Sequence, residues 1–450
     1  PANLAAFPGP TVELGIFNTG VLVGNDGIKW GDIVDWTADD VLTIDEIKQS
    51  LDQFPGNSVS VHQNLEIGVP FSLTIGHYAV SMSFVEMIEV GLSRGIIDMI
   101  SDDPSPDFSD EQAILDRYEQ SKNGEVVRDL SGMKTDIWGL ATVGFSYARL
   151  VDIPTLDLFA VGGTINLYGA TPRLRIVESS GQTIVRPNSW DTDATLVMEL
   201  AGAQILRTTN EEGDKDTEFD VDNFGGWGLG FNLGVAGRWD YDIDFSVALH
   251  NIPLRKITWN SAERRTFRVR NDNPVNAQTL FDGTPDKLDE FGDPVFDRFG
   301  DPEKQNTLDY LDTLLAPAGE KVANTELLSS VTAAPPSYLR AGVKKDFLGR
   351  LVTVGVDIEQ GFNETAISST TPRMAVGTVL RPLGNWIPIR AGMSIGGRTG
   401  HFATLGTGLH AGFFHLDLSL MKEGAFTPFE VPFAGFSTGV GFALEMKLSF

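Results

Sequence analysis

FSTGVGFALEMKLSF, residues 436–450, is the stretch that decides the fold. From Val440 onward every second residue is large and apolar: Val440, Phe442, Leu444, Met446, Leu448 and Phe450. Between them lie Gly441, Ala443, Glu445, Lys447 and Ser449. A period of two marks a strand with one greasy face and one wet face. Bacterial outer-membrane barrels close on such a strand, with the apolar face to lipid and the other to the lumen. The edge strand of a soluble sandwich carries the same rhythm, so the rest of the chain has to choose.

Composition narrows the choice. The 450 residues suffice for several soluble domains or one large barrel. No apolar run reaches 18 residues, which leaves out a transmembrane helix but not a barrel, whose strands are only half apolar. The net charge of −27 argues against nucleic acid, because phosphates need Lys and Arg. Cysteine is absent, so no disulfide framework exists. No signal peptide is visible from Pro1 on, and the chain is expected to be a processed or trimmed one.

The same alternation returns along the chain. Trp227, Leu229, Phe231, Leu233 and Val235 share one face, with Gly228, Gly230, Asn232 and Gly234 on the other. After a tight turn, Ile243, Phe245, Val247 and Leu249 are set against Asp244, Ser246 and Ala248, which makes a meander hairpin. Strands are also expected over 11–25, 57–69, 77–92, 137–147, 156–168 and 338–422, the last stretch in short regular pieces. Sixteen candidates result. If the segment 173–209 is a hairpin standing on the outer face, fourteen remain in the wall.

Three features favour a barrel over a sandwich. Short connections (70–76, 151–155, 239–242, 348–350, 384–385) alternate with long ones (26–56, 93–134, 260–335, 423–434). Barrels have short periplasmic turns and long outside loops, with the carboxy terminus on the periplasmic side. Trp227 and Trp239 bracket one strand, a span of about 30 Å at barrel tilt, and Trp386 sits at a periplasmic turn; all three are girdle candidates. Asp242, Asp244, Glu445 and Lys447 face inward, which a dry core tolerates poorly and a wet lumen easily.

The expected fold is therefore all-β: a transmembrane antiparallel up-and-down β-barrel of 14 strands, with 16 as the alternative. It forms a single outer-membrane domain over 1–450. Residues 1–10 read as a hatch remnant or lead-in. Residues 26–56 and 93–134 read as insertions with short helices, because Thr43-Ile44-Asp45-Glu46 and Ser109-Asp110-Glu111-Gln112 are capping boxes. Residues 260–335 read as a long acidic extracellular loop holding FGDP twice. Phe442, Leu444, Met446, Leu448 and Phe450 are the outward side of the closing strand.

Three passages resemble a known family. PANLAAF at the start resembles the NPA-N/G-LA motif that ends the amino-terminal hatch of the FadL/PorV superfamily. GLGFNLGVAGRWDYDIDFSVALHNIPLRKITW, residues 228–259, resembles that superfamily's middle hairpin, and PRMAVGTVLRPLGNWIPIRAGMSIGG, residues 372–397, is similar to its late strands. Asn251 stands where many relatives have Asp, and Pro253 where they have Gly. The resemblance implies a 14-stranded barrel. It further implies a channel for small hydrophobic molecules, as in FadL-type members, or a docking barrel for a surface or secreted protein, as in PorV-type members.

Chemistry beyond passage finds little footing. None of the six histidines has metal spacing, and no G-x-S-x-G or P-loop occurs. His415, Asp417 and Ser419 share an inward face and could suggest a hydrolase, but polar lumen lining explains them, and no enzyme is expected. Asp214, Asp216, Glu218, Asp220 and Asp222 alternate along one side of an extended chain, and 286–303 adds a second acidic run with Asp293 and Asp301. Calcium takes six to eight oxygens, so these seven residues are calcium candidates, with a solvated acidic loop as the plain alternative. No other cofactor is expected. The expected partners are the lipid bilayer, a small hydrophobic ligand and a protein at the extracellular loops.

Overall fold

The computed structural model describes residues 12–25, 58–68, 72–93, 95, 126–186, 189–202, 204–209, 215–220, 225–239, 243–270, 323–365, 367–398, 400–424 and 439–450. Its strands, in order, are β1 (Val12–Asn25), β2 (Ser58–Gly68), β3 (Ser72–Ile75), β4 (Tyr78–Ser93), β5 (Val126–Asp129), β6 (Lys134–Leu150), β7 (Leu158–Ala170) and β8 (Arg173–Arg186). Then come β9 (Ser189–Ala201), β10 (Gln204–Thr209), β11 (Lys215–Asp220), β12 (Gly226–Trp239), β13 (Ile243–Trp259), β14 (Ala262–Arg270), β15 (Ala323–Leu328) and β16 (Val331–Ala333). The series ends with β17 (Tyr338–Phe347), β18 (Val352–Gly361), β19 (Arg373–Leu380), β20 (Ile389–Gly396), β21 (Gly400–Ala411), β22 (Phe414–Glu423) and β23 (Gly439–Ser449).

The wall is a closed antiparallel barrel of 14 strands. Its order is β1, β2 with β3, β4, β6, β7, β12, β13, β17, β18, β19, β20, β21, β22 and β23. The closing strand β23 pairs with β22 on one side and with β1 on the other. Val12 and Phe450 exchange backbone hydrogen bonds at the seam, and the Phe450 ring stacks on Phe413 at 5.7 Å.

The alternation in sequence becomes a two-faced wall. Val354, Val356 and Ile358 on β18, Met374 and Val376 on β19, and Leu418 and Leu420 on β22 are exposed on the outside. Their neighbours Asp357, Glu359, Arg373 and Asp417 are tied into ion pairs on the inside. Exposed apolar side chains repeated on strand after strand are the surface a bilayer covers. No helix among the described residues is long and apolar enough to cross a membrane, which says nothing of a barrel, since barrels cross with strands.

As the 14-strand reading expected, the 173–209 segment leaves the wall. Three details differ from the sequence reading. The 70–76 connection contains a strand: β2 and β3 both pair with β1 along one line, and the chain reverses at Gly76, whose φ is 56°. The connection between β20 and β21 is only 397–399, although it lies at the end that carries the long connections. Finally, 260–335 opens and closes as strand, and 93–134 includes β5.

These extra strands form a second structure beyond the barrel rim. β8 pairs with β5 and β9, β9 with β14, and β14 with β15, while β10 and β11 make a separate hairpin. β8 and β9 are the hairpin expected over 173–209; β14 escapes the sequence reading because AERRTFRVR shows no clean apolar face. The hatch reading of 1–10 and both capping boxes lie outside the described residues.

An apolar core joins this sheet to the barrel. Met87, Trp138, Leu140, Tyr168, Ile257 and Trp259 are buried and gather with Ala201 and Ala262 of the outer sheet. Trp138 and Trp259 meet edge to face at 5.9 Å, and the Trp259 Nε1–H donates to the Thr171 carbonyl at 3.0 Å. Arg173 forms two 2.7 Å hydrogen bonds to Asp136 and lies 5.3 Å from the Trp138 ring centre.

Candidate functional site: a cavity in the lumen

The inward faces of β12, β13 and β17 to β21 surround a cavity of about 750 Å³. Its floor is set by register. Gly355 of β18 lies opposite Gly377 of β19, which lies opposite Gly392 of β20. Three glycines side by side leave a strip of wall without side chains.

Charged groups stand around that strip. Arg340 donates to Asp357 at 2.6 Å, Arg373 to Glu359 at 3.1 Å and Arg390 to Asp417 at 2.5 Å. Asp244 is held by Arg238 at 2.7 Å and by Lys344 at 3.3 Å. Of the carboxylates expected on the inward face, Asp244 has two cations within reach, which is how it is accommodated, while Asp242 lies outside the described residues. Lys447 likewise reaches Glu13 at 2.9 Å.

A second polar cluster lies where β13 divides its partners. β13 pairs with β17 up to His250 and with β16 from Ile257, so the wall is interrupted between. Asn251 occupies the break with φ of 54°, a conformation that Asn adopts more readily than most residues. Its side chain donates to the Pro336 carbonyl at 2.9 Å, while its oxygen receives the Tyr168 hydroxyl at 3.2 Å. Asn232 accepts from the Asn251 backbone N–H at 2.6 Å, and the Ser337 hydroxyl donates to the Asn251 carbonyl at 2.7 Å. Sequence comparison singled out Asn251 as a departure, but its role as the keystone of this break was not legible.

The hydrolase arrangement does not assemble. His415 and Ser419 are four residues apart on one strand, about 13 Å at strand rise. Asp417 is instead bonded by Arg390 and by His410 at 3.0 Å.

The remaining candidates are placed as follows. Trp227 and Trp239 sit near opposite ends of β12, and Trp386 in the turn before β20; all three are exposed. The Arg255 guanidinium lies over the Trp227 ring at 3.5 Å. On β23, Phe442 is exposed outward and lies opposite Leu420 of β22, with Leu444, Met446 and Leu448 on the same parity. Asp216, Glu218 and Asp220 fall on β11, opposite Thr208, Leu206 and Gln204. Asp214, Asp222, Asp293 and Asp301 lie outside the described residues. Among the described residues, no three His, Asp or Glu side chains gather as a metal site.

A family model described as "Family of unknown function (DUF5723)" matches residues 1–421. The chain belongs to DUF5723. No curated protein matches this DUF5723 chain. Among solved structures, it is similar to a Pseudomonas aeruginosa FadL homologue at 12% identity and TM-score 0.42, over 100% of this chain and 92% of that one. It is also similar to a mutant of the TodX monoaromatic hydrocarbon channel at 10% identity and TM-score 0.45, over 100% and 93%. The Pseudomonas putida toluene transporter TodX matches at 7% identity and TM-score 0.37, over 98% and 89%.

Proposed function

We propose that this DUF5723 barrel is an outer-membrane channel for small molecules with a largely apolar body. The observation that carries the reading is the 750 Å³ cavity inside a wall whose outer face is made for lipid. Ligand sites of small molecules commonly have this volume. Between its charged groups the cavity is walled by Gly355, Gly377, Gly392, Ala248 and Ala375, a surface with no side-chain donors that suits hydrocarbon. Trp227, Trp239 and Trp386 serve as girdle residues at the two interfaces, and the rim with the long connections faces outside.

The test is uptake. Cells carrying the chain in their outer membrane should accumulate a labelled six-carbon alcohol faster than matched cells without it. Equal rates, with the folded barrel verified in the membrane fraction, would overturn the proposal.

A second reading, a docking barrel, is favoured by one observation: the sheet of β5, β8, β9, β14 and β15 beyond the rim. It requires a stable protein partner that is lost when residues 271–322 are deleted from an otherwise folded barrel.

A further inference from the structure

We propose that Trp227, Arg255 and Lys256 form a binding site, on the outward face of the wall, for the phosphate of a lipid headgroup. The site needs only the barrel in a bilayer and is independent of what passes through the lumen.

It begins with an irregularity of register. Trp227 of β12 lies opposite Thr258 of β13, but Leu229 lies opposite Arg255, so three steps along β13 answer two along β12. Directly opposed residues share a face, which puts Thr258 and Arg255 outward with Trp227 and Leu229. Ile257 is fully buried in the core under the outer sheet, which leaves its exposed neighbour Lys256 on the outward side as well. A regular strand sends consecutive residues to opposite faces. The bulge instead gives one face two consecutive cations, and bulges re-aim side chains in this way.

The level of these cations on the wall is that of a headgroup. Trp227 is exposed at the end of β12 that carries the long connections. One residue further into the apolar band Leu254 is 62% exposed, and Leu167, opposite Leu229, is 48% exposed. The outward sides of β7 and β12 below them, with Ile165, Phe231 and Leu233, carry no charge. Acyl chains can lie on that surface, and a phosphate at their head then reaches the cations. A soluble anion would leave the exposed leucines unused.

The cations are also unclaimed. Among the described residues no carboxylate lies within ion-pair distance of Arg255 or Lys256, and neither side chain hydrogen-bonds to the protein. Arg173, Arg264 and Arg340 each have a carboxylate within 3 Å. A chain of net charge −27 has acids to spare, yet none is set beside this pair. The Arg255 guanidinium is held 3.5 Å over the Trp227 ring. Stacking occupies its face and leaves the N–H donors at its edge for a bidentate bond to phosphate, with Lys256 adding a second positive charge.

The test uses the full chain in a non-ionic detergent, with bound lipid counted by native mass spectrometry. Dioctanoyl phosphatidate is the probe. Dioctanoylglycerol has the same chains without phosphate, and glycerol phosphate has the phosphate without chains. Phosphatidate should bind about tenfold more tightly than either, or better. Arg255→Gln combined with Lys256→Gln should lose most of that advantage while heat resistance in detergent gels stays that of the parent. Lys345 is an outward cation at the other end of the wall, opposite Val354 and 5.6 Å from the Phe347 ring, and Lys345→Gln should change nothing. Binding of phosphatidate to the parent chain should weaken as salt rises, which reads the charge without any substitution. Unchanged phosphatidate binding in the double variant, an equal loss in Lys345→Gln, or binding insensitive to salt would overturn the inference. Glycerol phosphate bound as tightly as phosphatidate would reveal a site for soluble anions and overturn the assignment to lipid.

Discussion

His62 on β2 and Glu423 on β22 meet at 3.1 Å across two intervening strands. One row of the wall explains it: His62 lies opposite Gly24 of β1, Gly24 opposite Gly439 of β23, and Gly439 opposite Glu423. Neighbouring strands are about 4.8 Å apart, so only a row with two missing side chains lets the outer pair touch. A Cβ on Gly24 would lie 2.3 Å from the Glu423 carboxylate and 2.6 Å from His62 Nε2. The contact crosses the seam where the first and last strands of the barrel join.

Breaking that contact should loosen the seam. Glu423→Ala leaves His62 buried without its carboxylate and should cost about 1–3 kcal/mol. Gly24→Val should cost at least as much, because it pushes both partners apart. Each loss is read as a lower temperature for the shift from folded to unfolded migration in detergent gels. A Gly24→Val barrel as heat-resistant as the parent would show that the row contributes nothing.

The core around Trp259 ties the outer sheet to the barrel. Trp259→Ala removes the edge-to-face contact with Trp138 and the bond to Thr171, and should cost about 3–5 kcal/mol. The damage should be local: β8, β9 and β14 should become sensitive to protease while the barrel stays resistant. Digestion mapped by mass spectrometry checks this.

Asn251 combines a backbone and a side-chain role, and two substitutions separate them. Asn251→Gly keeps the left-handed conformation and loses the side-chain hydrogen bonds with Tyr168, Asn166 and Pro336. Asn251→Ala loses both and should be less stable than the glycine variant by about 1–2 kcal/mol. Equal melting temperatures for the two would remove backbone strain from the account.

Glu364 lies in the 362–372 connection beyond the rim and should make that loop acid-sensitive. The Thr370 hydroxyl, with the Thr370 N–H at 2.6 Å and the Ser369 hydroxyl, holds its carboxyl below the usual 4.5. With the folded value lowered, the stabilisation is full above the unfolded value and fades as pH falls through the folded one. Amide exchange in 362–372 should therefore quicken between neutral pH and pH values below 4.5. Glu364→Gln should remove most of that pH dependence.

The one-dimensional pattern determined a good deal by itself. Lipid outside and water inside impose opposite demands on neighbouring residues of a strand, and that demand is written as a period of two. Val354, Val356 and Ile358 against Thr353, Asp357 and Glu359 show it plainly, and so does the closing strand from Val440 to Phe450. The barrel, its even parity and the outward side of its strands follow from that rhythm.

Other features were settled only by three-dimensional closure. β14 and β15 are not part of the barrel wall, so no lipid-facing stripe announces them, and 260–335 reads as loop. His62 and Glu423 are 361 residues apart and meet because strand register and ring closure place two glycines between them. The cavity exists because Gly355, Gly377 and Gly392 fall level on three strands, and a shift of one residue in either ladder would turn a glycine outward. Local sequence sets which face a residue takes; only the assembled sheet sets which residues share a level, and binding depends on the level.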